Sequence, residues 1–72
     1  MLINGKLLKI KIREKYGSVS AFAKELGVHR NTLGRLINGT TAYTTFLIVD
    51  VIRNLELSNE DVFRIFLPQN GD

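Results

Sequence analysis

Apolar residues recur at helical spacing in five stretches of the chain, which are separated by glycine or by polar segments. Leu8, Ile12 and Tyr16 repeat at i, i+4 and i+8, which predicts a first helix capped by Asn4. The stretch KIKIR within it also alternates like a strand, but no later stretch offers an obvious strand partner. We therefore expect a helix over residues 5–16.

Residues 18–39, SVSAFAKELGVHRNTLGRLING, predict two short helices joined by a tight turn. Ser18 or Ser20 caps the first helix, over residues 21–26, and a glycine ends it. The second helix covers about residues 29–37, and an Asn-Gly pair stops it. The inward positions of this unit are apolar: Phe22, Ala23, Leu26, Val28, Leu33 and Leu36.

A polar loop over residues 40–45 leads to a fourth predicted helix over residues 46–55. Thr44 or Thr45 is its expected cap. One stripe of this helix is formed by Leu47, Val51 and Leu55, and further apolar residues widen the stripe beyond what a one-sided surface helix needs, namely Phe46, Ile48, Val49 and Ile52.

Ser58, followed by Asp61 three residues later, resembles a capping box and predicts a fifth helix through about Phe66. Pro68 ends this helix, and residues 69–72 form a short polar tail. The apolar residues of the fifth helix and its end have two possible roles: they fill a compact core, or they face a partner or a second copy. The candidates for such an interface are Phe63, Phe66 and Leu67. The expected fold is an all-α bundle of about five short helices in one domain, residues 1–72.

Charge is divided unevenly along the chain. Residues 1–39 hold eight Lys or Arg against two Glu, a net charge of +6, whereas residues 40–72 hold two Arg against five acidic residues, a net charge of −3. The basic half favours a polyanion, although a solubilising surface has the same composition. For the cations of the first helix, a solvated face is the expected role.

The composition argues against several classes of function. The chain has no cysteine and one histidine, so neither a disulfide framework nor a zinc site of the usual ligand count is expected. We find no paired carboxylates in a plausible cleft, no glycine-rich phosphate loop and no nucleophile with a base, so we expect no enzyme, cofactor or small-molecule substrate. Without an apolar run for a signal peptide or membrane span, we expect a cytoplasmic protein.

The segment FAKELGVHRNTLGRLING resembles the helix-turn-helix of the phage repressor and Cro family, the XRE type. FLIVDVIRNLELSNEDVF is similar to the fourth and fifth helices of such domains, so the resemblance spans most of the chain. It implies a lambda-repressor-like fold and a small transcriptional regulator in a temperate-phage lytic–lysogenic switch. In that family the third helix enters the major groove of operator DNA, and the regulator would work as a homodimer.

The resemblance implies a recognition surface on the third helix. Its candidates are His29, Arg30, Asn31, Thr32 and Arg35. Arg can donate two hydrogen bonds to guanine and Asn can pair with adenine, while a histidine at this position is expected to cap the helix or contact phosphate. Candidates for contacts to the phosphate backbone, or to the rim of a partner, are Ser18, Ser20, Thr40, Thr41 and Tyr43.

Two departures from the family weaken the expectation of a DNA ligand. The first is a shortage of phosphate contacts, because threonines follow the Asn-Gly where the family often has Lys or Arg, and Val19 lies where the family often has a phosphate-bonding Gln. The second is the surplus of apolar residues on the last two helices, some of which are expected to face a partner. Small phage antirepressors, or modulators of repression, resemble this chain in length and motif. They imply the alternative partner, a phage repressor whose DNA-binding domain the chain would block.

Overall fold

The computed structural model describes residues 3–39 and 45–66, which form five α-helices and, within these ranges, no β-strand. The helices are α1 (Gly5–Tyr16), α2 (Val19–Leu26), α3 (Arg30–Asn38), α4 (Thr45–Leu55) and α5 (Asn59–Phe66). The all-α, five-helix fold predicted from the sequence is therefore confirmed. Thr44, Pro68 and the polar tail lie outside the described residues.

α1 lies at the centre of the bundle and packs against each of the other four helices. Leu8 and Ile12 are fully buried on its inner side, as their spacing predicts. At its first turn, the backbone N–H of Asn4 donates to the carbonyl oxygen of Ile65 at 2.8 Å, which ties α1 to α5. The helix that the sequence presents mainly as a charged surface element is therefore the element that holds the others together.

The core is one apolar cluster to which every helix contributes two residues. It consists of Leu8, Ile12, Phe22, Ala23, Leu33, Leu36, Val51, Leu55, Ile65 and Phe66. Leu26 and Val28, predicted as inward positions of the α2–α3 unit, are half-buried at its edge. Tyr16 is also half-buried; its ring packs on Phe22 with centroids 4.8 Å apart, and its hydroxyl donates to the carbonyl oxygen of Asn54 at 3.1 Å.

Short polar side chains begin three of the helices by accepting a backbone N–H bond across the first turn. Asn4 accepts from Leu7 at 3.1 Å, Ser18 from Ala21 at 3.1 Å, and Ser58 from Asp61 at 3.1 Å. Ser18 is thus the cap of α2 rather than Ser20, and because it caps, the helix begins at Val19, two residues before the predicted start.

The surplus apolar residues of the last two helices divide between core and surface. Phe66, for which both a core and an interface position are left open by the sequence, packs in the core and is 3% exposed. Phe63 is 58% exposed and Phe46 is 83% exposed, while Val49 is partly exposed beside it on α4. The sequence shows which residues of α5 are apolar, but the way α5 docks on α1 decides which of them reach solvent.

Candidate functional site

The outer side of α3 presents polar side chains. Arg30, Asn31, Thr32 and Arg35 are exposed, whereas Leu33 and Leu36 point into the core. Four of the five predicted recognition residues therefore lie on the solvent side of one short helix. Two are cations and two are neutral hydrogen-bonding groups, so this surface has a modest positive charge.

His29, the fifth predicted recognition residue, caps α3. Its backbone is extended, and its Nδ1 atom accepts a hydrogen bond from the backbone N–H of Asn31 at 3.0 Å. One ring nitrogen is therefore occupied in starting the helix, as expected for a residue at this position. The imidazole holds the first turn of α3 in place, and with it Arg30 and Asn31.

A tight turn at Gly27 sets the direction of α3 relative to α2. Gly27 has a φ of 74°, in the left-handed region that a residue with a Cβ rarely adopts. The N–H of Val28 then donates back to the carbonyl oxygen of Ala23 at 3.0 Å, which closes the end of α2. Three residues, 27–29, separate the two helices.

A cleft of about 700 Å³ lies between α1, the start of α2 and α3, and is called here the α1–α3 cleft. It brings together Ser18, Ser20 and Arg30, which are predicted from the sequence to belong to a binding surface. Asn31, Thr32 and Arg35 do not line it. Its full lining is Lys9, Arg13, Gly17, Ser18, Val19, Ser20, Arg30, Gly34, Ile37 and Asn38.

Lys9 and Arg13 of α1 also line this cleft, although the sequence favours a solvated face for them over direct contacts. They are one helical turn apart, and Lys6 lies on the same side of α1, lining a smaller cleft of about 260 Å³ that also contains Lys9. The i, i+3, i+7 spacing of Lys6, Lys9 and Arg13 in the sequence was enough to place these three cations on one side of α1. The sequence could not show that α3 lies opposite them.

Some cations of the basic part of the chain, residues 1–39, form ion pairs with carboxylates and others do not. Lys11 pairs with Asp61 at 3.4 Å, and Lys15 pairs with Glu56. Lys9, Arg13 and Arg30 pair with no carboxylate among residues 3–39 and 45–66. Much of the positive charge facing α4 and α5 is therefore neutralised within the fold, whereas that of the α1–α3 cleft is not.

Both carboxylates of these α1 ion pairs ionise more readily than usual. The hydrogen bond and the charge of Lys15 lower the pKa of Glu56. For Asp61, partial burial acts to raise the pKa, but the hydrogen bonds from Ser58 together with the charge of Lys11 outweigh it and lower the pKa overall. Of the capping box predicted for α5, the bond from the backbone N–H of Asp61 to the Ser58 hydroxyl oxygen is present at 3.1 Å.

The other predicted contact residues, Thr40, Thr41, Tyr43 and Leu67, lie outside the described residues. Within the described ranges, no three His, Asp or Glu side chains come together as a metal site would require. No helix there is both long enough and apolar enough to span a membrane.

Among solved structures, this fold is similar to the solution structure of the modulator of repression (MOR) of the temperate bacteriophage TP901-1 from Lactococcus lactis. The TM-score is 0.75 at 26% sequence identity, and the match covers 94% of this chain and 92% of that one. No protein-family model and no curated protein sequence matches the chain. The similarity supports the resemblance to modulators of repression and adds no support for the repressor and Cro family.

Proposed function

We propose that this chain is a phage modulator of repression: a binding protein, not an enzyme, that contacts the DNA-binding domain of a repressor and prevents that domain from reaching its operator. The observation that supports this function best is the similarity to the TP901-1 protein along nearly the whole of both chains. The α2–α3 unit, with its exposed polar side, is the proposed contact surface.

The composition of that surface suits a protein partner. Asn31 and Thr32 are neutral and exposed between two arginines, and His29 already uses one ring nitrogen within the fold. Protein interfaces are typically anchored by a few arginines and aromatic residues surrounded by neutral contacts. A DNA-binding surface gains its affinity from several cations, each neutralising a phosphate, whereas the outer side of α3 presents two.

The test is to purify the full chain with each phage repressor found among the genes adjacent to its own and to measure three quantities. These are complex formation by size-exclusion chromatography, repressor–operator affinity with and without the chain, and the affinity of the chain alone for the operator duplex. The proposal expects a stable complex and loss of operator binding by the repressor. A repressor that elutes alone and keeps its operator affinity in the presence of excess chain would rule this function out.

Arg35→Ala probes the contact surface, with Arg64→Ala as its matched control. Arg35 is exposed on the outer side of α3, whereas Arg64 is exposed on α5 and pairs with Glu60 at 2.8 Å. Loss of an interface arginine costs about 1–3 kcal/mol, or roughly 5-fold to 150-fold in affinity for the repressor. Arg64→Ala breaks an exposed i, i+4 ion pair, which costs about 0.5 kcal/mol of stability and leaves binding to the repressor unchanged.

A second candidate function, operator binding by a homodimer, is favoured by the exposed Arg30, Asn31 and Arg35 on one side of α3. It expects the chain alone to bind a short palindrome with steep salt dependence. In that case Arg35→Ala would relax specificity at one base pair and cost about 1–3 kcal/mol. Sequence-specific binding by the chain alone would therefore favour this candidate over the first.

A further inference from the structure

The α1–α3 cleft is a binding surface separate from the outermost side of α3. We propose that it receives an acidic segment of the protein partner, one with carboxylates along one edge and an apolar side chain beside them. The inference deepens the proposed function and rests on it, because the partner it describes is the repressor. Two features of the cleft support this occupant.

The first feature is unneutralised positive charge on both walls. Lys9 and Arg13 project from α1 and Arg30 from α3, and none of them pairs with a carboxylate in the described part of the chain. Guanidinium groups bind carboxylates through two parallel N–H···O bonds. A partner carboxylate in the cleft would therefore meet charge that the fold leaves available.

The second feature is the shape of the α3 wall. Gly34 lies at its middle, and a Cβ built there meets no other atom within 4 Å. The absence of a side chain keeps the cleft open between Arg30 and Ile37. Ile37 and Val19 add half-buried apolar surface to the lining. An acidic polypeptide segment would bury that surface as well as pair with the cations, whereas a DNA backbone would use the charge alone.

A second copy of the chain is the other acidic source to be considered. Glu56, Glu60 and Asp61 are each engaged by a cation of their own chain, whereas Glu14, Glu25 and Asp50 pair with no cation among residues 3–39 and 45–66. Self-association of the unmodified chain in size-exclusion chromatography, lost on Lys9→Gln with Arg13→Gln, would therefore overturn the inference in favour of a second copy.

The experiment titrates the ¹⁵N-labelled full chain with a synthetic helical peptide of about 12 residues, roughly 18 Å long and so matched to α1. The peptide has glutamates along one face and leucines beside them. Saturable shifts confined to residues 9, 13, 30, 34 and 37 are expected. Comparison probes are the same peptide with glutamine for glutamate, the same with serine for leucine, and a random-sequence DNA duplex. Each should bind at least about tenfold more weakly if charge and apolar surface act together.

Two variants of the protein separate charge from shape. Lys9→Gln with Arg13→Gln removes two cleft charges, and its control, Arg53→Gln with Arg64→Gln, removes two charges from helices that do not line the cleft. We expect the first to weaken peptide and repressor binding about tenfold or more and the second less than about twofold. Gly34→Leu should block the cleft with every cleft cation retained, and circular dichroism checks that it folds.

The outcomes separate this inference from the proposed function. Peptide shifts outside the cleft, equal weakening by the two charge variants, or preferential binding of the DNA duplex would overturn the inference. Undiminished repressor binding by both cleft variants would overturn it also, while leaving the proposed function standing. If the unmodified chain fails to bind the repressor, the proposed function fails, and the peptide titration still decides whether the cleft selects acidic segments.

Discussion

Gly5 in the first turn of α1 packs directly against the backbone of Ile37 in the last turn of α3. A Cβ at position 5 would overlap the carbonyl oxygen of Ile37 and would lie 3.1 Å from its carbonyl carbon and 3.2 Å from its Cγ2 atom. Because the obstacle includes backbone, it cannot rotate away as a flexible side chain can. The absence of a side chain at Gly5 therefore sets how closely α1 approaches α3 and shapes one end of the clefts between them.

Gly5→Ala is expected to destabilise the protein, although alanine is normally the better helix former. Relief of the overlap requires α1 and α3 to separate, and overpacking of this kind costs about 1–3 kcal/mol. Urea denaturation followed by circular dichroism measures the change.

Gly34→Ala is the matched control, since it makes the same change in the open middle of α3. It should raise the free energy of unfolding by about 0.5–1 kcal/mol, because alanine loses less backbone entropy on folding than glycine. A stabilising effect of both substitutions would contradict the close approach of α1 to α3.

His29→Ala should destabilise α3 by removing the group that accepts the Asn31 N–H. The expected cost is about 0.5–2 kcal/mol, as for other N-cap losses. His29→Ser restores an acceptor and should recover most of the stability in thermal denaturation. If the alanine and serine variants melt together, the imidazole is not acting as the cap.

Tyr16→Phe tests the link between α1 and α4. The substitution keeps the ring on Phe22 and removes the hydroxyl that donates to the carbonyl oxygen of Asn54. A cost of about 0.5–1.5 kcal/mol is expected for one hydrogen bond of this kind. Tyr16→Leu, which removes the aromatic ring as well, should cost more in chemical denaturation. A Tyr16→Phe variant as stable as the unmodified chain would show that the hydroxyl contributes nothing.

The stability of the fold should decrease in acid, because Glu56 and Asp61 both have a lowered pKa in the folded state. A carboxyl group of this kind stabilises the folded state at every pH above its ordinary pKa. That contribution is lost as the pH falls through the ordinary value and then through the lowered one, which places the window below about pH 4.5. Carboxyl NMR titration measures each pKa directly.

Lys15→Gln separates the two carboxylates in that titration. Loss of its hydrogen bond and charge should return the pKa of Glu56 towards the ordinary value and leave that of Asp61, which pairs with Lys11, unchanged. Lys9→Gln, which removes a lysine with no described partner from the same helix, should shift neither group.

Local patterns in the sequence were sufficient to locate the helices. Each depends on residues within one or two turns: Asn4 caps α1, Gly27 ends α2, and Ser58 with Asp61 begins α5. Hydrophobic periodicity and capping are interactions over three or four residues, so the chain itself contains the information. The exposed polar side of α3 followed from the same periodicity, since Leu33 and Leu36 fix which side is inward.

Only the tertiary structure decided what the helices place against one another. Phe63 and Phe66 are equally apolar in sequence, but the docking of α5 on α1 buries Phe66 and leaves Phe63 at the surface. Lys9 and Lys15 both read as surface cations of α1; packing gives Lys15 a carboxylate and gives Lys9 a cleft shared with α3. These outcomes depend on contacts between residues far apart in the chain, and no periodicity within a single helix specifies them.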